Sequence, residues 1–424
     1  MSDFLRMTTP LYGGKVQSED GSLQLPFVLT GESVDRIHHQ IQAFSPARTA
    51  PACQHFTQCG GCQYQMIAAP QQAETKRTIL NDLLHANGIT TVPVLGINSA
   101  EPYSYRNRIR LQIKRIDGDL RCGYHVRTTT TFLPIAECPI AAPVLWQYVQ
   151  MLLAESTKNE ALESWLNAAS EVELFTNDTL DKVQLTLLCP PRTCLTEASF
   201  EKAFDAAAIQ MPLLAGAGAI AVDPRIGPTG KSFAAWGAAG LSYRVGDEVY
   251  WISRGGFFQV NRFLLPRLVE LVCAGQSGSL AWDLFAGVGL FSRVLARSFS
   301  RMTAVEAHPS AAKDLAAALK KLGTQHRAVQ DTTLAFLRRA VLERDRPELI
   351  VLDPPRAGAG EEACQLIGKL APQRIVYVSC DPTTLARDWR VLEAQGYTAS
   401  SADLVDLFPQ TFHLETVVAF ERRA

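Results

Sequence analysis

From about residue 245 to the end, short apolar runs alternate with segments of helical spacing. The runs are AWDLF, MTAVEA, LIVLD and RIVYVSC, and helices follow most of them. This order predicts a parallel, doubly wound α/β sheet. Upstream, YSYRNRIRLQIKR from Tyr103 alternates strictly. Arg106, Arg108 and Arg110 share one strand face, and Ile109, Leu111 and Ile113 share the other. Residues 68–87 have helical periodicity, with Ile79, Leu80, Leu83 and Leu84 on one side and Gly88 as the stop. Residues 140 to about 240 read as mixed α+β, helical around 145–166, with strands such as KVQLTLL. Residues 1–46 hold short β-like runs punctuated by glycine and Asp-Gly, which favours a small β-barrel or meander. Pro46 and Pro51 mark a linker into a cysteine-rich loop. No internal repeat or low-complexity tract is visible.

The organisation expected is therefore a barrel over 1–46, a central domain over 47–244 and an α/β domain over 245–424. A length of 424 residues allows two to four domains. Apolar residues make up 47% and charged ones 20%, enough to build a sizeable core. The net charge of -1 means that a nucleic-acid partner would need locally clustered cations. The opening MSDFLRMTTP lacks an apolar signal region. The longest apolar run, LLAGAGAIAV from Leu213, falls short of the roughly 18 residues a membrane span needs. The expectation is a soluble cytoplasmic protein, a monomer without a membrane partner. The chain has ten cysteines, for which metal binding or catalysis is a better default than disulfides.

AWDLFAGVGLFSRVLA reads as a strand, a glycine turn and a helix. Gly287 and Gly289 let the backbone turn tightly beside a ligand. The dinucleotide fingerprint is incomplete, because Ser292 stands at its third glycine. Glu306 ends the next strand and can accept hydrogen bonds from ribose hydroxyls. Asp331, in AVQD, and Asp353, in LIVLDPPR, mark two further strand ends. Open parallel sheets bind ligands outside these carboxyl ends, so the three acids form a constellation. The alternative for any one of them alone is a solvated acid at a helix N-cap.

RIVYVSC ends at Cys380, and DPTTLARDW reads as a turn into a helix. A helix N-terminus lowers a thiol's pKa, which suits a nucleophile; the plain alternative is a buried structural cysteine. Uracil C5 becomes nucleophilic once a thiolate adds to C6, and a base must later remove the C5 proton. Glu415, at the entry to the apolar run TVVAF, is the candidate base. Shielding would raise its pKa to suit proton removal. Seen alone, it reads as a surface glutamate on an edge strand.

The ordered motifs GFFQVN, DLFAGVG, LDPPR, SCDPTTLARD and FPQTFHLE resemble the RNA uracil-C5 methyltransferases that act on tRNA and 23S ribosomal RNA. The resemblance covers residues 250–424 and extends weakly upstream. It implies a Rossmann-like class I methyltransferase domain, with Cys380 as nucleophile and Glu415 as proton acceptor. It also implies that Gln259, Phe285, Leu290, Glu306, Asp331 and Asp353 line an S-adenosylmethionine site. Leu290 departs from a usual Asn, which leaves backbone or packing contact there. Asp381 departs from the usual SCNP and adds negative charge beside the thiol. The family further suggests that LYGGKVQSEDG…LTGESV is a degenerate TRAM domain, and that the 68–87 helix packs against the catalytic domain.

Cys53, Cys59 and Cys62 form a C-x5-C-x2-C pattern, with Cys138 of ECPI as a fourth ligand across a long loop. Four thiolates suit iron–sulfur or zinc. Likeness to family members carrying a [4Fe-4S] cluster favours iron in a structural role. The C-x3-C-x2-C spacing of radical enzymes is absent. Cys122, Cys189, Cys194, Cys273 and Cys364 read as core or incidental.

Arg106, Arg108 and Arg110, with Lys114 and Arg115, could form a phosphate-binding stripe flanked by Tyr103 and Tyr105 for base stacking; a solvated strand face is the bland reading. The target base must leave its stack to reach Cys380. The expected partner is structured RNA, with the cluster and barrel leaning towards 23S ribosomal RNA over tRNA. The competing readings are a cytosine-C5 RNA methyltransferase and an RNA-binding assembly protein with a silent site. DPPR lacks the former's Pro-Cys, and intact Cys380, Glu415 and Asp353 argue against the latter.

Overall fold

The computed structural model describes residues 4–190, 195–222 and 231–423. Its contacts divide the chain into two compact units. One combines Met1–Ala52, Cys62–Pro102 and Phe263–Ala424; the other combines Cys53–Gly61 and Tyr103–Arg262. The sequence-read boundary at 245 thus lies within the second unit, and the helix Ala69–Ala86 belongs with the C-terminal strands.

The first unit is built on an eight-stranded sheet. Its order is Arg327–Gln330, Phe299–Glu306, Gly278–Leu284, Leu349–Leu352, Arg374–Ser379, Glu415–Arg422, Tyr397–Val405 and Leu95–Asn98. The first five strands are parallel, as the alternating pattern predicts. The expectation of a wholly parallel sheet needs correction. Glu415–Arg422 runs antiparallel to both of its neighbours. The chain leaves Tyr397–Val405, turns through residues 406–414 without a crossover helix, and returns between that strand and Arg374–Ser379. Leu95–Asn98 then adds a parallel edge from far upstream.

Strand residues Trp282, Leu284, Ile350, Leu352, Ile375 and Tyr377 pack with Leu366, Ile367, Leu385 and Trp389 of the flanking helices in one core. Ile79, Leu80 and Leu84 of Ala69–Ala86 enter the same core. Each such buried side chain contributes about 1.5–3 kcal/mol relative to exposure. The helix stops where Gly88 adopts φ +81°, a conformation that favours glycine. A fully buried ion pair, Lys76 Nζ to Asp406 Oδ1 at 2.6 Å, ties it to the loop before Glu415. Gln72 adds two bonds to Gln410, one from its amide to Oε1 at 3.0 Å and one to its carbonyl from the Gln410 N–H at 2.8 Å.

Also in this unit is a five-stranded antiparallel sheet of order Gln24–Pro26, Lys15–Ser18, Phe4–Leu11, Ser33–Asp35 and Ile41–Ala43. Leu5, Met7, Val16, Val28 and Val34 form its small core. Glu32 is buried there, and its carboxylate accepts hydrogen bonds from Arg48 and from the Leu29 and Ser45 amides.

The second unit carries a seven-stranded sheet of order Lys231–Gly237, Leu214–Ala221, Val183–Cys189, Glu171–Thr176, Arg108–Ile116, Asp119–His125 and Phe132–Pro134. Three helices, Pro143–Ser156, Glu160–Ala168 and Glu197–Gln210, pack apolar residues into its core. The helical stretches expected around 145–166 are the helices Pro143–Ser156 and Glu160–Ala168. Asn159 starts the second by accepting the Leu162 N–H at 3.0 Å.

Candidate active site

The order of the parallel strands reverses between Gly278–Leu284 and Leu349–Leu352, and the crevice at that switch is where a ligand fits. The loop leaving the first of these strands is sharply bent. Phe285, Gly287 and Gly289 all have positive φ. A Cβ on Gly289 would come within 2.7 Å of Leu315, whereas one on Gly287 would meet nothing within 4 Å. The turn is therefore packed on one side and open on the other.

Glu306 holds this turn in place. Its Oε2 accepts the Gly287 N–H at 2.8 Å and its Oε1 accepts the His308 N–H at 2.6 Å. Asp331 accepts the Thr332 N–H at 2.8 Å and pairs with Arg339 at 3.1 Å. Leu290 is buried beneath the turn, and Phe285 packs against the core. Sequence reasoning missed Asp283, which is fully buried one residue before the end of its strand. Oδ2 accepts the Ser292 hydroxyl, while Oδ1 has no hydrogen-bond partner among the described residues. Burial pushes its carboxyl up to about 7, with Asp353 and Glu306 adding repulsion. The detectable signal was an acid inside an otherwise apolar run.

One strand further on, the registers bring the reactive groups together. Ser379 pairs with Thr416 in the antiparallel ladder, so the next positions outward, Cys380 and Glu415, face each other. Opposite residues of such a ladder lie about 4.5–5.5 Å apart at Cα. Asp353 follows directly on the neighbouring strand Leu349–Leu352. Glu415 is 2% exposed on an interior strand, and its Oε1 has no partner among the described residues. Burial and the Asp353 carboxylate hold its carboxyl well above the usual range.

The expected lowering of the Cys380 thiol is not found. Burial, Glu415 and Asp353 push it up to about 12, against a smaller opposing effect of Arg356. The helix Pro382–Ala394 does begin beside it, but the Asp381 side chain takes the first free amides, those of Thr383 and Thr384, at 3.0 Å each.

Gln259 belongs to the second unit. It is buried, and its carbonyl accepts a hydrogen bond from Asn107 at 3.0 Å. The arginine stripe needs correction. Arg108 and Arg110 both bind Glu173, at 3.3 and 2.9 Å, and Arg108 also lies over the Phe175 ring. Arg115 pairs with Glu163, and Tyr105 is fully buried and cannot stack on a base. Alternation alone could not reveal the acids on the adjoining strand Glu171–Thr176.

Cys53, Cys59 and Cys138 are part-buried, and burial raises all three thiols; Cys59 adds to the rise at both Cys53 and Cys138. The Gly61 N–H donates to Cys59 Sγ at 3.4 Å. Cys62 is likewise part-buried. Among the described residues, no group of three or more His, Cys, Asp or Glu is arranged to hold a metal ion. Cys122, Cys189, Cys273 and Cys364 are buried, and Cys194 lies outside the described residues. No helix among the described residues is long and apolar enough to cross a membrane.

Residues 241–423 match the family model described as tRNA (Uracil-5-)-methyltransferase. A protein of Aquifex aeolicus named as an uncharacterized RNA methyltransferase is 30% identical over 89% of this chain and 85% of its own length. The 23S rRNA (uracil(1939)-C(5))-methyltransferase RlmD of Erwinia tasmaniensis is 30% identical over 91% of this chain and 85% of its own. The crystal structure of Pyrococcus abyssi tRNA (uracil-54, C5)-methyltransferase with S-adenosyl-L-homocysteine superposes with a TM-score of 0.73. It covers 98% of this chain and 100% of that one at 20% identity, a likeness of fold.

Proposed function

Because the chain belongs to the RNA uracil-C5 methyltransferase family and is an S-adenosylmethionine-dependent RNA uracil methyltransferase, we propose that it methylates C5 of a uridine in 23S ribosomal RNA through a covalent Cys380 adduct. The observation that carries this reading is the register that sets Glu415 opposite Cys380, with Asp353 at the adjacent strand end.

The Cys380 thiolate adds to C6 of the flipped uracil, and the electron pair moves through C5 and C4 to make an enolate. C5 then attacks the methyl group of S-adenosylmethionine, and S-adenosylhomocysteine leaves. Ionised Glu415 takes the C5 proton, the C5–C6 double bond re-forms, and the thiolate is expelled. In the unliganded protein both Cys380 and Glu415 favour their neutral forms. Positive charge from the bound sulfonium, with Arg356 alongside, favours the charged forms that the reaction needs.

S-adenosylmethionine occupies the open side of the Gly287 turn. Phe285, Leu290, Glu306, Asp331 and Asp353 form its surroundings. Glu306 acts chiefly by fixing the turn, since both its oxygens already accept backbone amides. The N-terminal β segment over 1–46 serves as a TRAM-like RNA-binding part. The region 47–244 is the central RNA-binding part, and 245–424 carries methyl transfer. Cys53, Cys59, Cys62 and Cys138 hold a [4Fe-4S] cluster. Donor type and sequence spacing support it, although no group of three or more such side chains is gathered for a metal among the described residues, and no step of the reaction passes through it. The working form is a monomer.

Tritiated S-adenosylmethionine with undermodified total RNA tests the reaction. Label recovered as 5-methyluridine in 23S RNA is the expected result. Label in tRNA moves the substrate, and label in 5-methylcytidine overturns the chemistry. Iron and sulfide analysis under anaerobic conditions tests the cluster; stoichiometric zinc without iron overturns it.

A further inference from the structure

Tyr12 follows the strand Phe4–Leu11 at a turn made by Gly13 and Gly14, both at positive φ. The tip of this hairpin is pressed against the loop before Glu415. A Cβ on Gly14 would stand 3.1 Å from Gln63 Cβ and 3.6 Å from Phe412 Cβ. The Tyr12 ring meets Phe412 edge-on, with centroids 5.4 Å apart and planes at 87°. Its hydroxyl donates to Asp381 Oδ2 at 3.2 Å. One side chain thus touches the residue after Cys380 and the loop that leads into Glu415.

We propose that Tyr12 is a positioning residue for methyl transfer, tying the Cys380 turn to the Glu415 loop and offsetting the charge of Asp381 beside the thiol. The inference rests on the reading of Cys380 as nucleophile. The chemistry of position 381 argues for it. An Asn there would offer an N–H to a tyrosine oxygen, whereas Asp can only accept when ionised and needs a donor. Tyr12 is that donor for Oδ2, while the helix amides of Thr383 and Thr384 serve Oδ1. Both oxygens are therefore engaged.

The charged groups that act on Cys380 are the Glu415 and Asp353 carboxyls and Arg356; Asp381 is its immediate chain neighbour, and Tyr12, bonded to Asp381, is near enough to feel the thiol. Among these side chains Arg356 alone favours the thiolate, so an uncompensated negative charge on the next residue would add to the groups opposing ionisation. Burial and Asp381 push the Tyr12 hydroxyl well up, which keeps it a donor throughout the working pH range.

Iodoacetamide alkylation of the full chain, read at the Cys380 peptide by mass spectrometry across pH, tests this. The Y12F variant keeps the ring and loses only the hydroxyl. Its Cys380 should alkylate roughly fivefold more slowly near neutrality, the scale of one ordinary hydrogen bond, because Tyr12 acts on the thiol only through Asp381. The midpoint of its pH profile should rise, and kcat should fall while KM for S-adenosylmethionine stays put. Adding D381N to Y12F should restore the alkylation rate, because the charge is then gone. Labelling of the fully buried Cys364 in the same samples gauges general opening, so the Cys380 rate is taken relative to it. Wild-type alkylation by Y12F, or a Y12F/D381N protein as slow as Y12F, overturns the proposal. Alkylation reads the thiol whatever its catalytic role, so this failure is distinct from a C380S enzyme that still methylates.

Discussion

The two ends of the crevice are built on opposite terms. At the glycine turn, Glu306 and Asp331 are fully engaged with backbone amides and an arginine. At the strand ends one step away, Cys380 and Glu415 are desolvated and held towards their neutral forms, and a buried carboxyl oxygen is left without a partner among the described residues. Satisfied acids make a rigid seat. Unsatisfied ones hold free energy that is released only when a ligand supplies the missing charge or donor. The first arrangement suits binding and the second suits chemistry, where perturbed titration clusters.

The sharpest way to break that contrast is at the reactive end. Replacing Cys380 with serine should abolish methyl transfer, a loss on the order of 10⁴-fold or more, while S-adenosylmethionine binding by calorimetry stays intact. Glu415→Gln should slow turnover by about 10²–10⁴-fold. It should also accumulate a denaturant-stable protein–RNA adduct on gels, because the methylated adduct cannot lose its C5 proton. A Gln variant that turns over without an adduct removes Glu415 from the mechanism.

At the seat, Glu306→Gln should act on affinity. One amide oxygen can replace one carboxylate oxygen, but the other amide then faces an NH₂ group. S-adenosylmethionine affinity should fall by roughly 10–100-fold, the scale of a charged hydrogen bond, with kcat at saturation much less affected. An equal fall in kcat would show that the two ends are not separable.

The smallest effect concerns Asp283. Its pKa is raised from 3.8 unfolded to about 7 folded, so the native state retains a proton that the unfolded chain gives up. The stability from this group is fully present below pH 4 and is lost as pH rises through 7. Asp283→Asn should therefore gain on the wild type in melting temperature as pH climbs from 5 to 8. A constant difference across that range would mean that Asp283 is ionised in the fold.

The strand ends were legible because each apolar run stops at a chemically distinct residue, as RIVYVSC does at Cys380. The pairing of Cys380 with Glu415 was legible as two motifs, but the antiparallel return that sets them opposite was not. It depends on the loop over 406–414 reversing without a helix. Asp283 was hidden inside a strand, where sequence marks only a break in hydrophobicity. The arginines after Tyr103 misled for a related reason: Glu173 opposes Arg110 and also binds Arg108 from a strand some sixty positions later. Tyr12 carried no motif, and its role comes from a contact across nearly the whole chain.

The strand Leu95–Asn98 closes the edge of the catalytic sheet beside Tyr397–Val405. During synthesis, that segment emerges long before its partner exists. Its unpaired amides and the apolar face of Ala69–Ala86 must wait, exposed, until Tyr397–Val405 and the neighbouring core strands have been made. The edge of the sheet can close only after Tyr397–Val405 and Glu415–Arg422 have been made, so a chain cut short before them has no opposed Cys380 and Glu415.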